Sequence, residues 1–249
     1  MRSVPSPAAH PAPDDRSRRA AAARTVLTVA LTAGSGSLDA IAFLSLGKVF
    51  VSVITGNLVL LGIGLGHADH DLALRVAVTL VSYGLGATAG VVVAGRAEDG
   101  QPVWPGRVTA ALLVELALLC GFAAGWELNA ARPTGAAQLA LLAVAAVAMG
   151  LQSAAVNRLT LPGFSSTYLT STLIRAITEL VQGPRNHVGA KVAAMTSVVA
   201  GALAGALLVA RAPRFAPVIA VGLLAAVLVA SAILGRGGGL LTTPEAADT

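Results

Sequence analysis

Long apolar stretches, almost free of charge and recurring from near one end of the chain to the other, constrain this sequence more than any single motif does. They fall at 25–46, 49–66, 72–95, 107–126, 135–157, 164–182, 187–210 and 215–235, each bounded by Gly, Pro or charged residues. A helix rising about 1.5 Å per residue needs about 20 apolar residues to cross the roughly 30 Å hydrocarbon core of a bilayer. Six of the eight stretches reach that length unaided. The second is only about 18 residues long, and the sixth contains Arg175 and Glu179. A mean hydropathy of +0.78 and a charged content of 12% agree, since soluble domains carry about 25% charged residues. The expected fold is therefore all-α: a polytopic transmembrane bundle of about eight helical segments, whose main partner is the lipid bilayer.

The net charge of +5 does not indicate nucleic acid. Arg2, Arg16, Arg18, Arg19 and Arg24 crowd the N-terminus and the remaining basic residues lie scattered between apolar segments. Basic flanks stay on the cytoplasmic side, which puts the N-terminus inside. Residues 1–24, rich in Arg and Pro, read as a disordered tail rather than a cleaved signal peptide, and residues 236–249 read as a second disordered tail. With Cys120 the sole cysteine, no intrachain disulfide can form.

The sequence also repeats itself at an offset close to 115 residues. Residues 71–96 align with 186–211 without a gap, so that Gly86, Gly90 and Arg96 fall on Gly201, Gly205 and Arg211. Thr55 falls on Thr170 and Leu58 on Leu173; a one-residue shift then brings Gly36 onto Gly150. Two membrane repeats of four segments follow, 25–126 and 135–235, the second segment of each short or broken. If all four segments cross, the halves have the same orientation; if the second is re-entrant, three cross and the halves are inverted. The reading favours four crossings in each half.

Polar residues inside apolar segments are the candidate functional groups. Asp39 lies deep in the first segment, where a carboxylate is expensive and faces a cavity, a partner or a proton path, or else bonds backbone where Gly34-Ser35-Gly36-Ser37 loosens the helix. The run Val51-Ser52-Val53-Ile54-Thr55-Gly56-Asn57-Leu58 reads as extended chain entering a helix, with Thr55 as its cap, and Thr170-Ser171-Thr172 repeats the pattern. Such half-helix ends suit a polar or anionic solute. A site between the halves would draw on Asp39, Thr55, Asn57, Gln152, Thr170 and Thr172, with Glu115 as a charge relay. The pairs Gly86/Gly90 and Gly201/Gly205 are small-xxx-small patterns for close helix packing. Arg175 and Glu179, spaced i, i+4, read as an interfacial pair that neutralises itself. The cluster His67, Asp69, His70 and Asp71 has no recognised ligand spacing and reads as a polar loop, so neither a metal nor a cofactor is expected.

The residues Gly36-Ser37-Leu38-Asp39-Ala40, then Phe43-Leu44-Ser45-Leu46-Gly47, then Val49-Phe50-Val51-Ser52 with Thr55-Gly56-Asn57 resemble the hallmark of the YoaK-like bacterial membrane proteins, a family of unknown function. The resemblance covers about residues 25–235, with Ile54 standing where the family has Met. It implies a bacterial inner-membrane protein and supplies no substrate or catalytic residue. The leading expectation is a small secondary transporter or permease, with a second copy of the chain as a candidate partner in a homo-oligomer. A scaffold or accessory protein is the first alternative. A membrane-embedded lipid enzyme ranks last, since the intramembrane charges are few and scattered, and the chain is read as a non-enzyme.

Overall fold

A computed structural model describes residues 15–95, 104–159, 169–182 and 188–236. These residues form eight α-helices: α1 (Asp15–Ser45), α2 (Ile54–Gly66), α3 (His70–Ala94), α4 (Gly106–Leu128), α5 (Gly135–Asn157), α6 (Leu169–Gln182), α7 (Val188–Arg211) and α8 (Val218–Arg236). A short 3-10 turn, Pro213–Phe215, precedes α8. Among the described residues, α1, α3, α4, α5, α7 and α8 are long and apolar enough to cross a membrane. Helices are the natural solution in lipid because each satisfies its own backbone groups. The residues 1–14 and 237–249 of the two expected tails lie outside the described residues. Residues 15–24, however, belong to α1: Ala20 and Arg24 are buried, and packing extends the helix through a polar lead that its composition argued against. The Gly34–Ser37 run does not interrupt α1 either, and Ser35 Oγ bonds back to the Leu31 carbonyl at 3.2 Å.

The direction of each helix follows from cross-chain contacts. Arg24 donates to the Leu159 carbonyl at 2.9 Å and Ser35 to Gln152 at 2.9 Å, so α5 descends as α1 ascends. Gly86 and Gly90 of α3 face the carbonyls of Val147 and Leu151 of α5, which makes that pair parallel; Gly201 and Gly205 of α7 face those of Ala33 and Ser37 of α1, likewise parallel. The short connection from α4 to α5 sets those two antiparallel. Trp126 Nε1 donates to the Pro213 carbonyl at 2.8 Å, joining the end of α4 to the start of α8. Consequently α1, α4 and α7 run one way, and α3, α5 and α8 the other.

This pattern decides how α2 and α6 lie. Since α1 and α3 point in opposite directions, the segment that joins them, α2 included, leaves and returns on one side; the segment joining α5 to α7 likewise has both its ends on one side. With 13 and 14 residues, the two helices extend only about 20 Å, short of the roughly 30 Å core. Where the sequence reading favours four crossings in each half, three helices of each half are long and apolar enough to cross. In the second segment, residues 49–53 are irregular chain rather than helix.

Lipid supplies no hydrophobic drive for helix association, so close backbone approach has to hold the bundle together. The glycines provide it. A Cβ at Gly86, Gly150 or Gly201 would strike the main chain of Val147, Tyr83 or Ala33, and one at Gly36 the main chain of Val198. Each contact between α1 and α7 has a counterpart between α5 and α3 displaced by 114 or 115 residues: Ala33–Gly201 matches Val147–Gly86, Ser37–Gly205 matches Leu151–Gly90, and Gly36–Val198 matches Gly150–Tyr83. Exposed Leu74, Val81, Leu85 and Val92 of α3 and Val199 and Leu203 of α7 form outward apolar faces, suited to acyl chains.

Candidate functional site

Two polar clusters lie within the bundle. The first is built where α1 stops. Gly47 adopts φ +108°, with the Arg75 side chain laid against it, and Lys48 adopts φ +64°. The chain there turns back along α1, and six residues before the helix end Asp39 meets it. Asp39 Oδ1 accepts from the backbone N–H groups of Val51, at 2.7 Å, and Ser52, at 2.8 Å, while the Ser52 hydroxyl donates to Oδ2. From the other flank Asn57 grips Phe50 twice: its Nδ2 donates to the Phe50 carbonyl at 2.5 Å and its Oδ1 accepts from the Phe50 N–H at 3.0 Å. Phe50 stacks on Phe43 with ring centroids 5.1 Å apart.

These bonds have one physical purpose. Non-helical chain inside a bilayer carries N–H and C=O groups that neither water nor a helix ladder satisfies, and here two side chains satisfy four of them, on Phe50, Val51 and Ser52. Asp39 and Asn57 are both buried and both engaged with backbone. Thr55, expected to cap α2, does not: the cap position is Val53, no side chain caps the helix, and Thr55 is exposed. Asp69 is a helix cap, accepting from Leu72 N–H at 2.9 Å. Thr170 and Thr172 fall within α6, but their side chains lie outside the described residues, as does that of Arg175. Glu179 forms an ion pair with Lys191 of α7, while the expected pair with Arg175 lies outside the described residues. Lys191 is 1% exposed; sequence reasoning missed it because it sits near the start of an apolar segment, where a basic residue reads as a flank.

The second cluster is central. Glu115 of α4 and Gln152 of α5 line a small cavity with Gly34 and Leu31 of α1 and residues of α8. The space has room for about one water molecule. Gln152 is held from both ends: Oε1 accepts from Ser35 Oγ and Nε2 donates to the Leu31 carbonyl at 3.5 Å, an arrangement that fixes the orientation of the amide. Glu115 is 1% exposed, and its Oε2 has no hydrogen-bond partner. The expected site residues therefore divide: Asp39 and Asn57 go to the loop, Gln152 and Glu115 to the centre. Ser35 joins the central group unforeseen, and its only sequence signal was the Gly-Ser run.

A bundle of six crossing helices with buried polar groups defines a multi-pass membrane protein. Residues 27–230 match the family model described as "Protein of unknown function (DUF1275)", and the chain belongs to that family. It is 34% identical over 161 residues to the UPF0700 transmembrane protein YoaK of Bacillus subtilis (strain 168), an alignment that covers 65% of this chain and 69% of the relative. No solved structure matches the chain.

Proposed function

We propose that this protein is a small secondary transporter or permease of the bacterial cell membrane, built from two inverted repeats, α1–α4 and α5–α8, that pass a small polar solute between them. The observation that carries the reading is the exchange of contacts between the halves: α1 rests on α7 as α5 rests on α3, through equivalent residues, while α1 and α5 run in opposite directions. Inverted halves have equal and opposite packings available to them, which is the physical basis of alternating access. The polar groups at their interface, Ser35, Gln152 and Glu115, lie where such a solute would be held. The Glu115 carboxyl and the surplus of acceptors over donors favour a neutral or cationic solute over the anion suggested by helix ends. The Arg-rich start of α1, with Arg18, Arg19 and Arg24, supports a cytoplasmic N-terminus.

Two measurements test this. In a Cys120→Ala background, Asp69→Cys and Gly189→Cys are expected to react with impermeant reagents from opposite faces; labelling from one face would remove the inverted repeat. Reconstituted protein is expected to carry radiolabelled small polar or cationic solutes above empty liposomes, with Gln152→Ala reducing the flux. The accessory reading draws on the small central cavity and on the use of Asp39 and Asn57 as loop anchors. It expects no flux for any solute, with Gln152→Ala changing stability alone.

A further inference from the structure

The carboxyl of Glu115 is the least satisfied polar group at the centre of the bundle. None of the described residues donates a hydrogen bond to it, and its Oε2 is buried without a partner. It is the tenth residue of a 23-residue helix, close to the middle of the span. The elements lining the cavity with α4, namely α1, α5 and α8, contribute no titratable group and no cation there. A carboxylate removed from water needs a counter-charge or a proton.

The remaining polar capacity of the cavity is mostly of one kind. The Ser35 hydroxyl hydrogen has the nearer of its two acceptors in Gln152 Oε1, and one hydrogen of the Gln152 amide goes to the Leu31 carbonyl. The second amide hydrogen of Gln152 is the one donor left over. Acceptors outnumber it: the Glu115 oxygens and the second lone pair of Gln152 Oε1. Leu31, Leu38, Leu119 and Met149 complete a largely apolar wall. An anion would meet like charge there, and a bare metal ion would find too few oxygens to replace its water. A compact cation that brings its own hydrogen-bond donors meets neither difficulty.

We propose that Glu115 and Gln152 form a binding site for a water-sized, proton-donating monovalent cation, either the ammonium ion or a hydrated proton. The site deepens the permease reading and rests on it only for the movement of the ion, because binding is measured without flux.

The test uses the full-length protein in detergent or nanodiscs, with thermal unfolding followed through Trp104 and Trp126. Ammonium chloride at tens of millimolar is expected to raise Tm by about 2 °C or more over equal sodium chloride or choline chloride, as ligand binding to the folded state requires. Glu115→Gln is expected to fold, to be at least as stable as wild type without ligand, and to lose the response; Gln152→Leu should weaken it. If the proton is the ligand, ammonium has no effect, and Tm rises between pH 8 and pH 6 in wild type by about 2 °C more than in Glu115→Gln. The site is overturned if neither ammonium nor acid gives a Glu115-dependent rise, or if sodium matches ammonium. Binding without any flux would leave this site standing and remove the permease; flux that survives Glu115→Gln with no binding would do the reverse.

Discussion

Removing the Asp39 side chain separates two explanations of why a carboxylate sits inside α1. Asp39→Ala withdraws the acceptor from the backbone N–H groups of Val51 and Ser52, both in a segment enclosed by protein. Each buried donor left without a partner costs about 1–3 kcal/mol, so the variant is expected to lose about 2–6 kcal/mol. Asp39→Asn keeps an oxygen at the Oδ1 position, where both N–H groups converge. Its new Nδ2 can donate to the Ser52 hydroxyl, which turns from donor to acceptor. Only the extra strength of a charged acceptor is lost, about 1–3 kcal/mol in total. Ser52→Ala, which deletes one bond to Oδ2, is expected to cost about 1 kcal/mol. Equilibrium unfolding in mixed micelles, read by tryptophan fluorescence, gives the order Ala worse than Asn, with Ser52→Ala the mildest. Two results would refute the reasoning: Asp39→Asn as damaging as Asp39→Ala, which would make charge rather than geometry the requirement, or Asp39→Ala within about 0.5 kcal/mol of wild type, the scatter of an indifferent surface substitution.

Three further outcomes are expected. Asn57→Ala frees both main-chain groups of Phe50 and should cost about 2–5 kcal/mol in the same unfolding assay, whereas Asn57→Asp, which keeps the acceptor and loses the donor, should fall between it and wild type. Gly86→Ala and Gly201→Ala each drive a methyl into a main-chain carbonyl and should destabilise by about 1–3 kcal/mol or more; Gly84→Ala, in α3 with nothing near its Cβ position, should be neutral or stabilising by up to about 1 kcal/mol. Glu179→Gln strands the buried Lys191 ammonium and should cost about 3–5 kcal/mol; Lys191→Met should cost less, because the Glu179 side chain remains 28% exposed and water can reach it.

Apolar length and Gly/Pro punctuation placed α3, α4, α5, α7 and α8 to within about three residues at each end, because in lipid the span length is set by the bilayer and not by tertiary detail; α1 starts earlier than its apolar run, and α2 and α6 start later. The start of α2 shows why. An 18-residue apolar run at 49–66 reads as a marginal span with a non-helical entry around residues 51–57, and its first five residues are irregular chain whose backbone at Phe50, Val51 and Ser52 is held by Asp39 and Asn57. That leaves α2 with 13 residues. Which side chains satisfy that backbone is written in no local pattern, because Asp39 belongs to another helix. The glycine pairs were legible as packing positions because a small residue every fourth place has few other uses in a membrane helix. The isolation of Glu115 was not, since being without a partner depends on what α1, α5 and α8 bring to the same depth.

The two short helices are held by different chemistry, and that difference separates a moving machine from a static scaffold. In the first half, Asp39 and Asn57 fix the chain entering α2. At an offset of 114–115 residues the second half has Ser153 and Thr172 instead, neither able to accept as a carboxylate does. There the ion pair joins α6 to α7 through Glu179 and Lys191, at positions equivalent to Gly64 and Val76 of the first half. On the permease proposal, each end of the molecule has its own latch, one on either side of the membrane. In an alternating-access protein, weakening one latch populates the state open at that end and depopulates the state open at the other. Glu179→Gln is expected to raise the reactivity of Ala176→Cys, a buried position on α6, and adding Asp39→Ala is expected to lower it again toward the wild-type rate. A scaffold has no shared equilibrium between its ends. In that case the second substitution leaves the labelling of Ala176→Cys unchanged, and distant latches add independently within about 0.5 kcal/mol.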